Sequence, residues 1–161
     1  MDYVLFLRWL HVIGACVLLG TGAGIAFFML MAHRTKDAKT IAHTASTVVI
    51  ADTLFTLSAV IVQPITGTLL ALQLGWPLTQ GWLMASILLY ILTGLCWLPV
   101  VWIQIRLRDL ARDVVRTGAQ LPSTYQRLFR LWFILGIPAF AAVLTIVWLM
   151  LERPGFSILG L

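Results

Sequence analysis

Charge is what this chain has least of. Asp, Glu, Lys and Arg make up 11% of its 161 residues, against about a quarter of a typical soluble domain. That excludes an ordinary water-facing surface. Histidine and cysteine are few as well, at 3 and 2. Cys16 and Cys96 both fall within long apolar runs, which argues for small packing residues and against a disulfide framework. No P-loop, GxSxG, HExxH or CxxC pattern is present, so the familiar soluble catalytic classes have no support. A cleavable signal peptide is not expected: Asp2 and Tyr3 stand where a basic start would be, and the apolar run that follows is too long. There is no internal repeat and no low-complexity segment.

What the chain does have is hydrophobic residues, 61% of the total, arranged in stretches of roughly 20 or more, enough to cross a bilayer core. Its charges are sorted between them. Of 11 Lys and Arg, three (Arg34, Lys36, Lys39) form one group and six (Arg106, Arg108, Arg112, Arg116, Arg127, Arg130) form another. Basic residues collect in cytoplasmic loops, which puts residues 32–42 and 106–128 inside and the uncharged connection Gly75 to Trp82 outside. The expected fold is all-α: one domain, a four-helix transmembrane bundle with both termini on the non-cytoplasmic side. The spans fall at about 3–32, 45–74, 82–105 and 129–151. A net charge of +5 then reflects positive-inside bias, with anionic lipid headgroups rather than nucleic acid as the natural partner.

Within the first span, Gly20 and Gly24 form a GxxxG pair suited to close helix packing. In the second, Asp52, Thr56, Gln63 and Gly67 fall on one face, and Pro64 removes a backbone donor, predicting a kink and a freed Val60 carbonyl. The third helix has a pattern that continues through Arg116, where charges of both signs suit a solvated face. Gly118 fits a helix stop. Ser123 with Gln126 matches a capping box for the fourth helix, Gly136 and Pro138 mark a bend, and Glu152 to Gly155 end it before a short apolar tail.

Ionisable residues inside a membrane are expensive and are read first as functional. His11 lies one turn from Arg8 and shares a face with Gly14. An imidazole among apolar helices with glycine nearby can ligate haem iron, Arg8 then pairing with a propionate. The other reading is a histidine bonded to a neighbouring helix with Arg8 snorkelling to the interface. His33 and His43 flank the first basic loop and can meet as a metal pair or as further haem ligands, or else stand at the interface and in solvent. Asp52 must be paired, hydrogen-bonded or protonated. It can accept from Thr56 or a helix-3 partner, hold a basic group, or relay protons. Gln63 and Gln104 can link helices.

These residues carry a resemblance. Leu10-His11-Val12-Ile13-Gly14, Ala32-His33-Arg34-Thr35, Ala51-Asp52, Phe55-Thr56, Gln63-Pro64-Ile65-Thr66-Gly67, Trp97-Leu98-Pro99-Val100-Val101-Trp102, Arg106-Leu107-Arg108-Asp109-Leu110 and Gly136-Ile137-Pro138-Ala139-Phe140 together resemble a family of bacterial integral membrane proteins with no assigned function. That likeness spans the chain and implies a multi-pass protein of the bacterial cytoplasmic (inner) membrane. The stretch from Leu10 to His33, with Pro64/Gly67 and Gly81-Trp82, is also similar to the HemJ-type protoporphyrinogen IX oxidases, membrane proteins that bind b-type haem. That family carries a lysine soon after its Gly-Trp, where this chain has Leu83-Met84-Ala85-Ser86. The resemblance therefore implies His11 as a haem ligand and Arg8 as its propionate partner, without the oxidase reaction.

Two functional expectations follow. One is a membrane protein holding haem b on His11, with Arg8 and Gly14 beside it and His33 or His43 as a further ligand. Such a protein serves electron transfer, haem handling or porphyrin oxidation with a redox partner; as an enzyme it is a haem-dependent oxidoreductase. The other is a cofactor-free scaffold or regulatory subunit, or a small proton-coupled transporter with Asp52, Thr56 and Gln63 as its internal polar path. A homodimer through the GxxxG pair is compatible with either.

Overall fold

The structure, a computed structural model, describes residues 2–155; the apolar tail expected after Gly155 lies outside the described residues. Four helices account for nearly all of it: α1 (Tyr3–Thr35), α2 (Ala38–Gln73), α3 (Gly81–Thr117) and α4 (Ser123–Glu152), each long and apolar enough to cross a membrane. The helices outrun the expected spans wherever basic residues begin. α2 starts at Ala38, beside the Lys39 start that the sequence predicts, α3 runs to Thr117 as its pattern through Arg116 predicts, and α4 opens at Ser123 as expected. The apolar face simply continues past the bilayer-length run, because Leu107, Ala111, Tyr125 and Phe129 are buried there.

Local chemistry sets the ends. The Asp37 carboxylate accepts from the Thr40 amide at 2.9 Å and the Thr40 hydroxyl at 2.6 Å, satisfying the free donors that open α2. Gly118 stops α3 at φ 70°, its N–H donating to the Val114 carbonyl, a left-handed cap that favours glycine. The capping box expected at Ser123 does not form. Pro122 occupies the cap position and Ser123 is already helical, with no side-chain cap.

α2 is interrupted, though not at its proline. It is α-helical over Ala38–Ala51, opens into a π turn at Asp52–Thr56, and resumes over Leu57–Gln73. The Leu57 N–H reaches back to the Asp52 carbonyl, one residue further than in an α-helix. Pro64 lies inside the resumed helix, and the Val60 carbonyl it leaves free accepts a hydrogen bond from the Tyr90 hydroxyl of α3.

α1 packs along α2, and α3 packs along α4. The two pairs join chiefly where the first part of α2 meets α3, and beyond the π turn α2 stays with α1. In lipid, close backbone approach matters more than burial of bulk. Accordingly Ala42, Ala45 and Ala111 are buried in the larger core, with Met29, Ile41, Ile103, Leu107 and Tyr125 around them. This core lies at the basic end, where the connections after α1 and α3 come together. A smaller cluster of Ala71, Trp82, Leu83 and Leu149 closes the other end.

Candidate functional site, an intramembrane cavity

Where the helix pairs separate, they enclose a cavity of about 500 Å³ lined by all four helices. Three glycines, Gly22 on α1, Gly94 on α3 and Gly136 on α4, line it, and a Cβ added at any of them meets nothing within 4 Å. Helix packing does not require glycine there; the missing side chains enlarge the space. Phe133, Ile137 and Leu144 also line it while remaining 43%, 57% and 48% exposed. The cavity thus opens at the side of the bundle, between the larger core at the basic end and the smaller cluster at the other.

One wall is polar. The π turn brings Asp52 and Thr56 to it, with Gln63 further along α2. Asp52 is 3% exposed. Its Oδ1 accepts from Trp97 Nε1 at 3.3 Å. With the Gln104 amide oriented to satisfy its neighbours, Gln104 donates to Asp52 Oδ2 at 2.9 Å and accepts from Trp132 Nε1 at 3.2 Å. A single chain of bonds therefore ties α2, α3 and α4. The Thr56 hydroxyl is buried beside this carboxyl with no well-formed partner, and such a group costs about 1–3 kcal/mol unless something else satisfies it. Among the described residues Asp52 is the lone acidic side chain on the lining, and no Lys, Arg or His faces it.

His11 lies outside this cavity, in the contact between α1 and α2. The Thr66 hydroxyl shares its proton with the carbonyls of Val62, at 2.8 Å, and Gln63, at 3.2 Å. It is left to accept from His11 Nδ1 at 2.8 Å, which puts the lone pair of a neutral ring on Nε2. Gly67 makes room for the ring, since a Cβ there would sit 3.1 Å from His11 Cε1. The Gln63 amide donates to the His11 carbonyl at 2.7 Å. It occupies the space beside Gly14, where a Cβ would come within 2.5 Å of Gln63 Nε2. Gly14 accommodates a neighbouring side chain rather than a flat ligand.

The remaining candidates are scattered. Arg8 is exposed. His33 turns towards α4, its ring stacked on Phe129 at 3.7 Å between centroids and its Nδ1 3.4 Å from the Tyr125 hydroxyl. His43 stands exposed on α2, so nothing holds the two imidazoles together. Gly20 is exposed and a Cβ on it meets nothing, so among the described residues this half of the GxxxG pair serves no helix contact. Among the described residues no three His, Cys, Asp or Glu side chains gather as a metal site. A haem between the helices therefore finds neither space at His11 nor a histidine on the cavity wall.

Trp97, Tyr90 and Trp132 were not singled out from the sequence. A signal for one of them exists: Trp97 lies well inside an apolar run, and a buried indole N–H calls for an acceptor, whereas Trp132 stands two residues after Arg130, where tryptophan suits the membrane interface. The π turn left no such signal in Asp52-Thr53-Leu54-Phe55-Thr56.

No curated protein and no solved structure matches the chain significantly, so the likeness to the HemJ-type oxidases rests on the quoted residues alone. A family model described as predicted integral membrane protein (DUF2269) matches residues 5–154, and the chain belongs to that family.

Proposed function

We propose that this protein is an intramembrane binding protein that takes a small lipid-soluble molecule from the bilayer into its four-helix bundle. The observation that carries this is the cavity of about 500 Å³ between the helix pairs, widened by glycines from three helices that packing does not need. Ligand sites in helical bundles are mostly apolar, with few convergent polar groups to fix orientation. The Asp52, Thr56 and Gln104 wall supplies those groups. Side access suits a ligand that partitions into lipid, and the clusters at both ends suit a site that holds it away from water. With the basic end in the cytoplasm of a bacterial inner membrane, the same site serves a carrier that alternates between leaflets.

The test is equilibrium binding of a small neutral hydrocarbon, tert-butylbenzene, to the protein in lipid nanodiscs, with empty nanodiscs as the partition background. Saturable binding of one molecule per chain is expected, lost in the Gly94→Leu/Gly136→Leu variant while its unfolding midpoint is kept. Binding that never saturates above the empty nanodisc would end this reading.

A second reading keeps haem b, placed on the flank of the bundle rather than within it. It is favoured by one feature: the Thr66 hydrogen bond orients the His11 imidazole and leaves Nε2 available, as outer partners do for metal-bound histidines. A Soret band in the purified protein that disappears in His11→Ala supports it; a featureless visible spectrum after expression with ample haem removes it.

A further inference from the structure

The polar wall narrows the class of molecule the cavity takes. We infer that the ligand is an apolar organic cation, a quaternary or protonated amine carried on a hydrophobic body, whose charge is matched by Asp52. The inference rests on the cavity reading above and adds the chemical class.

The groups facing the Asp52 carboxyl can be named helix by helix. α1 offers only apolar and glycine surface, through Ala15, Leu18, Gly22 and Ile25. α2 offers the Thr56 hydroxyl and the Gln63 amide, the latter already committed to the His11 carbonyl. From α3 come the Trp97 indole, the Gln104 amide and the Tyr90 hydroxyl, the last engaged with Val60. α4 contributes Trp132, bonded to Gln104. Among the described residues Tyr90 is the one titratable neighbour on this lining, and no cationic side chain reaches it.

Three features then point the same way. Trp97 and Gln104 aim one donor at each carboxylate oxygen, an arrangement suited to the ionised group, since both partners donate. Among the described residues no cationic side chain balances that charge, and an isolated buried carboxylate is strongly disfavoured. A bound cation supplies the balance. The Thr56 hydroxyl, 7% exposed, has its proton directed at the neighbouring Asp52 carboxylate and its lone pairs free on the same wall, placed to take an N–H from a protonated amine. Around them stand aromatic faces from Trp97, Trp132, Phe133 and Phe140, the surfaces that attract quaternary ammonium groups through the ring quadrupole. A neutral ligand would leave the carboxylate charge unbalanced, and an anionic one would be repelled by it.

The experiment compares phenyltrimethylammonium with tert-butylbenzene, which have the same shape and differ in whether the central atom is a charged nitrogen or a carbon. Binding of each to the protein in nanodiscs of zwitterionic lipid is measured as the saturable component. The cation is expected to bind at least about tenfold more tightly, with that ratio falling to about one in Asp52→Asn. Equal affinities in the unaltered protein overturn the cationic class and leave the cavity reading standing. A preference that persists in Asp52→Asn overturns the assignment to Asp52. No saturable binding of either probe overturns both. The comparison in the unaltered protein decides the class even where Asp52→Asn fails to fold.

Discussion

Single residues divide into those whose role is packing and those whose role is space, and glycine shows the division. Gly14 is pressed against the Gln63 amide, and Gly20 meets nothing. Gly14→Ala must displace Gln63 from the His11 carbonyl. Its expected loss is about 1 kcal/mol, given that interhelical hydrogen bonds in membranes average about 0.6 kcal/mol and steric adjustment adds to that. Gly20→Ala should stay within about 0.5 kcal/mol of the parent. Reversible unfolding in mixed micelles distinguishes them, and equal effects would contradict the packing described. Asp37 gives a pH prediction. Hydrogen bonds from the Thr40 hydroxyl, then its amide, hold this exposed carboxyl below its usual range. Its contribution to stability is therefore present above the ordinary carboxylate pKa of about 3.9 and fades as pH falls through the lowered native value. The stability difference between the parent and Asp37→Ala should be constant near neutral pH and vanish in acid. A difference that grows in acid would refute the cap.

At the scale of the element, α2 is where sequence and structure part. Four apolar runs separated by basic and turn-forming segments made the four helices readable, and the freed carbonyl of Val60 was foreseeable from Pro64. Its partner, Tyr90, was not, because nothing in a linear pattern says which residue of α3 lies opposite. The π turn was equally hidden. It inserts a residue into the helical count, so Asp52 and Thr56 face the cavity while the helix beyond departs from α3. The Tyr90 bond suggests a double-mutant cycle. Tyr90→Phe leaves a carbonyl unpaired, at a cost of about 1–3 kcal/mol. In a Pro64→Ala background the restored backbone N–H can satisfy Val60 instead, so the same Tyr90→Phe change should cost under about half as much. Equal costs in the two backgrounds would show that Tyr90 acts through something other than this carbonyl.

For the whole molecule, sorted charge and apolar length announced a four-span bundle, and the polar stripe of Asp52, Thr56 and Gln63 announced that one face of α2 avoids lipid. What those residues face depends on how far apart the two helix pairs stand. That distance follows from alanines at one end and from Trp82 and its neighbours at the other, contacts that no local pattern encodes. His11 illustrates the same limit: its spacing from Arg8 and Gly14 was legible, whereas its commitment to Thr66 on another helix was not. The central claim is that the space between the pairs holds a ligand. Its most direct test is a crystal structure with 4-bromo-tert-butylbenzene, read by bromine anomalous scattering. A peak enclosed by Gly94, Gly136, Trp97 and Asp52, and absent from the Gly94→Leu/Gly136→Leu variant, is the predicted result. Bromine found only along the outer faces of the helices would contradict it.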